Sequence, residues 1–226
     1  MPAAAARKGR FITLEGGEGV GKSTQARLLA RRLEEVGVES IVTREPGGSP
    51  RAEALRRVIL SGAAAPFGPA AEAILFSAAR IDHIDRTIAP ALASGVWVIC
   101  DRFADSTRAY QGAAGKLDPA LIASLERVAV GEVRPHLTLV LDMPVEAGLA
   151  RAAERREPSA TPDRFEAETL AFHETLRKAF LDIAAAERRR CVVIDADQPS
   201  EDVARAIWTA VRRRFASRLR ANRIRP

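Results

Sequence analysis

Eight consecutive residues, GGEGVGKS (16–23), set four glycines, a lysine and a hydroxyl between an apolar run and a helical pattern. The order satisfies G-x-x-x-x-G-K-[ST] in the strand–turn–helix context that this motif requires. Gly16, Gly17, Gly19 and Gly21 allow backbone angles closed to other residues, so the N–H groups of the loop, those of Glu18 and Val20 included, can turn inward around a phosphate. The first turn of the following helix, with Thr24, adds unpaired N–H groups and the positive end of a helix dipole. Lys22 is placed to neutralise β- and γ-phosphate oxygens, and the Ser23 hydroxyl to ligate Mg²⁺. Binding of a nucleoside triphosphate follows from these residues. The use made of its phosphate does not.

Five short β-like runs are available to carry the loop: RFITLE (10–15), SIVTRE (40–45), VWVICD (96–101), LTLVLD (137–142) and CVVID (191–195). Their apolar residues fall on successive positions, which predicts strands covered on both faces. Helical patterns fill the intervals. Leu28, Leu29, Leu33 and Val36 mark one face of the first, which stops at Gly37, and further helices are predicted over 50–60, 69–94, 118–130, 144–156, 162–188 and 200–216. Strand alternating with helix predicts an α/β chain whose parallel sheet binds ligands at the carboxyl ends of its strands. No repeat or interdomain linker breaks the pattern, so residues 1–226 read as one domain with an N-terminal extension over 1–9. The segment RREPSATPDRFE (155–166) separates two helical patterns with Pro158 and Pro162, and reads as a plain loop or as a mobile lid.

At 226 residues, with 47% hydrophobic residues, the chain is long enough for a sizeable core. Its net charge of +6 invites a nucleic-acid reading, but the charge is localised. The last sixteen residues hold seven arginines and no acid, and subtracting them leaves the first 210 residues at −1. The basicity therefore belongs to a C-terminal tail (212–226), read as a solvated, fraying helix end whose loss would leave turnover largely intact, with nonspecific anion binding as the alternative. Cys100 and Cys191 lack metal-ligand spacing and close apolar runs, which predicts buried thiols in a reducing compartment. No apolar run approaches the ~20 residues that span a bilayer, and residues 1–10 hold no signal-peptide core, so a cytoplasmic protein without a membrane partner is expected. His83, His136 and His173 are scattered and receive no role.

Three further stretches choose among phosphate acceptors: TREPGGSPRAEALR (43–56), LFSAARIDH (75–83) and DRFADSTRAYQG (101–112). Together with the glycine loop and DRFE (163–166), in this order along most of the chain, they resemble the thymidylate kinase family. The resemblance implies a P-loop nucleoside-monophosphate-kinase fold, a five-stranded parallel sheet flanked by helices, and phosphorylation of dTMP to dTDP with ATP and Mg²⁺. It implies a homodimer and no nucleic-acid partner.

Residue by residue, the resemblance implies that Asp101, ending the third strand beside the phosphate loop, helps hold Mg²⁺ with Ser23, and that the planar fork of Arg102 bridges the acceptor phosphate and the transferring group. Phe76 and Arg80, four apart and so on one helical face, would stack on thymine and donate to its O4, and Gln111 would read the base edge near N3. A donor opposite O4 rejects cytosine, which presents a donor there. An arginine of the helix after REPGG would grip the acceptor phosphate, as Arg56 with Arg57 the alternative. Glu45 and Pro46 would shape the pocket, their peptide bond expected cis because a sharp turn must leave the strand. Thr107 and Tyr110 would close the deoxyribose side, and Arg151 would stack over adenine opposite the loop at 196–198. Since the phosphate loop reads Glu18–Gly19 without arginine, the implied style takes its catalytic arginine from a lid over 152–164. Arg155 is the first candidate, with Arg156 and Arg164 as alternatives, and Glu18 is expected to position the acceptor side. The rival readings are a small P-loop kinase for another nucleotide or nucleoside, and a nucleic-acid-dependent ATPase working through the arginine tail.

Overall fold

The computed structural model describes residues 8–155 and 164–222. Most of the expected lid, including Arg156, lies outside the described residues, as do residues 1–7 of the expected N-terminal extension and 223–226 of the basic tail. Five strands, β1 (Phe11–Glu15), β2 (Ser40–Arg44), β3 (Trp97–Asp101), β4 (Leu137–Asp142) and β5 (Cys191–Asp195), form a parallel sheet in the order β2-β3-β1-β4-β5. Each begins and ends within a residue of its predicted run. Double cover holds only in the middle: β1, β3 and β4 are buried almost throughout, whereas β2 and β5, at the edges, are partly exposed.

The helices are α1 (Lys22–Glu34), α2 (Pro50–Leu60), α3 (Gly68–His83), α4 (Ala89–Ala93), α5 (Ala104–Thr107), α6 (Pro119–Val130), α7 (Val145–Glu154), α8 (Leu170–Ala186), α9 (Ser200–Arg214) and α10 (Ala216–Asn222). Successive strand residues point to opposite faces. Ile12, Leu14, Ile99, Leu139 and Leu141 therefore pack with Leu29 and Leu33 of α1 and with Ile207 and Val211 of α9. Phe11, Val98 and Cys100 pack instead with Ile84, Ile88 and Phe103 of the opposite layer. Leu28, predicted on the buried face of α1, is only half-buried, and Gln25 and Ala26 take its place.

Several element bounds depart from the sequence expectation for identifiable reasons. The helix expected over 69–94 widens into a π-type turn at Ile84–Ile88 before α4. Pro90 has no N–H to continue the ladder, and just ahead of it the Ala89 N–H reaches back to the Ile84 carbonyl. Helix α8 starts at Leu170 rather than near 162, because the Thr169 side chain accepts from the Phe172 N–H and caps it. A helical stretch over α5 and the π-type segment Arg108–Ala114 was not predicted at all. The basic end is not simply solvated: Phe215 and Leu219 are buried in the core, Phe215 edge-on to Trp97 at 4.9 Å. The reading of 212–226 as a solvated, fraying end is corrected at these two positions, and deleting the segment would strip that packing. Among the described residues, no single helix is long and apolar enough to cross a membrane.

The sheet brings β1, β3 and β4 side by side with the phosphate loop leaving β1 between its two neighbours. That loop is pressed against α7 backbone to backbone. A Cβ on Gly19 (φ +70°) would stand 1.7 Å from the Gly148 carbonyl oxygen, and a Cβ on Gly148 would stand 2.5 Å from that of Glu18. Gly148 thus lets a helix approach the loop as closely as two backbones allow. Gly148→Ala is expected to push the loop off its position, with a loss on the order of 1–3 kcal/mol, read as a lowered Tm together with weaker ATP binding in a titration.

Candidate active site

A cleft of about 240 Å³ opens at the carboxyl ends of β1, β2 and β3. The phosphate loop forms one wall. In it Lys22 is buried and donates to the carbonyls of Gly16 and Gly17 at 3.1 and 2.5 Å. Burial pulls its ammonium down to a pKa of about 8, and Arg102 adds repulsion, while Glu18, Asp101 and Glu15 oppose the fall. The Ser23 hydroxyl donates to Asp101 Oδ2, so the two oxygens expected to serve a divalent cation are in contact.

Arg102 sits in the left-handed region, φ +70°, where a non-glycine residue is uncommon and functional residues concentrate. Its N–H donates to the Leu14 carbonyl at 2.9 Å, which fixes the turn to β1. Its Nη1 donates to the Gly16 carbonyl at 3.0 Å, its Nη2 to Glu18 Oε1 at 2.6 Å, and its guanidinium lies 5.0 Å from the centre of the Tyr110 ring. Tyr110 donates its hydroxyl to the same Glu18 oxygen at 2.6 Å. Burial would raise the Glu18 carboxyl, but the charges of Arg102 and Lys22 and the Tyr110 hydroxyl hold it at about 2. Burial likewise opposes the Arg102 charge, and Glu18 more than restores it.

The far wall is aromatic. Phe76, Tyr110 and Phe165 line it, Phe165 meeting Tyr110 edge-on at 5.3 Å and Phe76 at 6.0 Å, with buried Gln111 and Thr107 alongside. The Glu45–Pro46 bond is cis. Glu45 lines the cleft and accepts from Arg80 Nε at 2.7 Å, with His83 Nδ1 on its other oxygen at 3.1 Å. Arg80 itself is 2% exposed and lies behind the wall, donating also to the Phe103 carbonyl and the Thr107 hydroxyl at 3.2 and 3.1 Å. Arg56 lines the cleft and donates to the Pro46 carbonyl at 2.7 Å, whereas its alternative Arg57 is exposed and outside the lining.

A second, more open cleft of about 380 Å³ lies on the other side of the loop, lined by Thr24, Arg151, Ala196 and Gln198. Arg151 Nη1 donates to the Ala196 carbonyl at 3.1 Å, which brings the helix end and the 196–198 loop together as the sequence implied. Gly19, Gly21 and Arg155 line both clefts. Arg155 thus stands at their junction. Arg164 pairs with Glu168 and, at 3.4 Å, with Glu72, outside both linings.

Sequence reasoning passed over four residues of this region. Phe165 belongs to the quoted DRFE stretch but had no aromatic neighbours in sequence to mark it. His83, given no role, joins Thr43 at 2.7 Å to Glu45. Gly148 was visible as a lone glycine in a helical pattern. Glu15, ending β1 one residue before the loop, is wholly buried and accepts from the Phe103 N–H at 2.8 Å and the Ser106 hydroxyl at 2.6 Å. Burial, reinforced by Asp105, pushes its carboxyl up to about 8. Glu15 therefore braces the turn that carries Arg102 by accepting from Phe103 and Ser106.

A parallel sheet of this order, a phosphate loop on β1 and an adjoining aromatic slot floored by an arginine define a P-loop nucleotide kinase. The family is given by relatives: a thymidylate kinase model matches residues 14–207. The thymidylate kinase of Bradyrhizobium diazoefficiens is 56% identical over 208 residues, 92% of this chain and 91% of that protein. That of Rhodopseudomonas palustris is 58% identical over 215 residues, 95% of this chain and 93% of that protein. The crystal structure of thymidylate kinase from Ehrlichia chaffeensis, at 30% identity, matches with a TM-score of 0.72 over 90% of this chain and 99% of that one. The chain belongs to the thymidylate kinase family, and is accordingly a phosphotransferase.

Two tests follow from the geometry. Arg102→Lys keeps a cation but loses the fork shared by Gly16 and Glu18, and kcat is expected to fall on the order of 10²–10³-fold in a coupled assay, with the melting curve little changed. Glu15, with a folded pKa of about 8 against an ordinary 4.5, contributes stability that is full below pH 4.5 and lost as pH rises through 8. Glu15→Gln is expected to flatten the decline of Tm between pH 5 and 8, since the amide releases no proton on unfolding.

Proposed function

We propose that this chain transfers the γ-phosphoryl group of ATP to the phosphate of dTMP, with Mg²⁺, in the style that draws its second arginine from the lid. One observation carries the proposal: the triphosphate loop and a slot of Phe76, Tyr110 and Phe165 open into one cleft, with Arg102 between them. The donor set suits Mg²⁺. Ser23 and Asp101 offer two hard oxygens in contact, and no three His, Cys, Asp or Glu side chains converge elsewhere among the described residues. Mg²⁺ characteristically takes one or two protein oxygens and completes its shell with phosphates and waters. When bound it would neutralise charge on the phosphates.

The chain's own residues do the rest. Lys22, which donates to the Gly16 and Gly17 carbonyls of the loop, is placed to turn its ammonium to β- and γ-oxygens. Arg102, held on one side by Glu18 and Gly16, offers its fork where donor and acceptor phosphates meet. The phosphate acceptor needs no deprotonation at neutral pH, so Glu18 positions Arg102 and Tyr110 rather than acting as a base. Arg56 grips the acceptor phosphate, Phe76 stacks on thymine, and Gln111 reads its edge with Thr107 and Tyr110 closing the sugar side. Arg80, expected to donate to thymine O4, is buried outside the cleft lining, so its part is to hold Glu45 and Thr107 in place. Arg155 is the lid cation, supported by its place at the junction of both clefts, and Gly16 to Thr24 with Arg151 hold ATP. Alignment and positive charge are what phosphoryl transfer asks of a protein.

A homodimer is supported by apolar side chains exposed on two packed helices, Ile74 and Ile81 on α3 and Leu121 and Val128 on α6. A reducing, cytoplasmic location is supported by two cysteines that are buried and unpaired. A single kinase domain over 1–226 accords with the one sheet that all five strands share.

Purified protein is expected to form dTDP from dTMP and ATP far faster than it phosphorylates dCMP or AMP; equal turnover of all three defeats the pocket assignment. Phe76→Ala removes base stacking of ~1–3 kcal/mol, and is expected to raise the KM for dTMP by the corresponding factor, roughly 5- to 150-fold, while leaving the KM for ATP near its original value.

A further inference from the structure

Behind the phosphate loop, between it and α7 and α8, lies a small cavity of about 20 Å³. Its polar lining comes from Gly16, Gly17 and Glu18 of the loop, Asp142 at the end of β4, and His173 and Arg177 on α8. Val140 and Phe180 complete the walls, and Asp142 and Arg177 satisfy each other in a two-pronged pair at 2.8 and 3.0 Å. His173 is different. It is 3% exposed, and its Nε2 has no hydrogen-bond partner among the described residues. A buried ring nitrogen left unpaired destabilises a fold by about 1–3 kcal/mol, so such groups call for an explanation. The cavity is apt in size. A single water needs ~10–15 Å³ and two to four polar partners, and this space offers loop backbone on one side and the imidazole on the other.

We propose that this cavity is a site for one structural water, and that His173, through that water, is a positioning residue that braces the phosphate loop from the rear. Its place in the chain explains why such a brace matters. His173 lies in the first turn of α8, whose cap Thr169 follows directly on the segment that leads in from the expected lid. The brace therefore links the helix on the trailing side of that segment to the loop that grips the triphosphate. The opposite end of the segment is joined to the same loop by the Gly148–Gly19 contact of α7. Glu18, which lines the cavity from the loop, is also the carboxylate that holds Arg102. Loop, acid and arginine thus share one rear support.

The inference deepens the kinase reading and rests on phosphoryl transfer at this loop, so one arm of the test is read without any substrate. A high-resolution crystal structure of the unliganded protein is expected to show a single water within hydrogen-bond reach of His173 Nε2 and of the loop backbone. A dry cavity, or a direct protein partner for Nε2, overturns the proposal whatever the enzyme's turnover. The second arm is kinetic. His173→Phe keeps the ring and loses the nitrogen, while His173→Gln returns a polar atom near the position of Nε2. The phenylalanine variant is expected to lose kcat on the order of tenfold, as misplacement of aligned groups does, with the KM for dTMP unchanged, and the glutamine variant to recover to within about twofold of the original. An unaltered kcat in His173→Phe, or equal losses in both variants, would show a packing role and sink the idea. Should His173→Phe fail to fold, the glutamine variant's kcat and the water in the map still decide.

Discussion

The half-buried ion pair between Arg102 and Glu18 is the constraint on which the site is built. A guanidinium drawn largely out of water needs both a counter-charge and fixed acceptors to hold its place. Glu18, the Gly16 carbonyl and the Tyr110 ring supply these, and each comes from an element that has other reasons to be where it is. Glu18 is locked into the phosphate loop, Gly16 directly follows the buried strand β1, and Tyr110 anchors the aromatic wall. The arrangement also accounts for the unusual backbone of Arg102. A left-handed residue turns the chain sharply at the end of β3, so the side chain is aimed at the loop rather than along the strand. Glu15 then holds the following turn from beneath.

Charge in this cleft is balanced by placement rather than by number. Lys22 and Arg102 repel each other, and Glu18 and Asp101 lie close to both. Incoming phosphates would bring further negative charge, which the two cations are positioned to accept without large rearrangement of the surrounding groups. Preorganisation of this kind is worth more in a cleft than in water because the field is less screened. On the base side the opposite logic holds, with apolar rings giving area and a few polar groups giving selection.

Much of this was legible in the sequence because certain chemistry demands certain residues. A phosphate cradle needs glycines, a lysine and a hydroxyl in a fixed order, so the loop from Gly16 to Thr24 was readable residue by residue. Strands covered on both faces leave unbroken apolar runs, so all five strands and their parallel arrangement were readable too. What escaped depends on distant parts of the chain meeting. Glu15 looks like any acid at the end of a strand until Phe103 and Ser106 arrive to bury it. Gly148 matters only because a loop more than a hundred residues earlier packs onto it. Arg80 could be matched to a pocket, but not to the far side of its wall, since one residue's depth depends on the layer it joins. Helix ends moved where a single proline or threonine outweighed the periodicity.

The placement of three aromatic residues has a practical consequence for spectroscopy. The chain's two tryptophans lie at the end of the molecule opposite the cleft, Trp97 at the start of β3 against Phe215 and Trp208 on α9 beneath Arg32. Trp97 and Asp101 are separated by the length of the strand, roughly 13 Å. Indole emission from this protein will thus report how α9 and α10 dock, and it will be nearly blind to nucleotides. The one tyrosine is Tyr110, whose hydroxyl is tied to Glu18. The two indoles and the phenol thus mark opposite parts of the molecule, the first the docking of the carboxyl-terminal helices and the second the catalytic end.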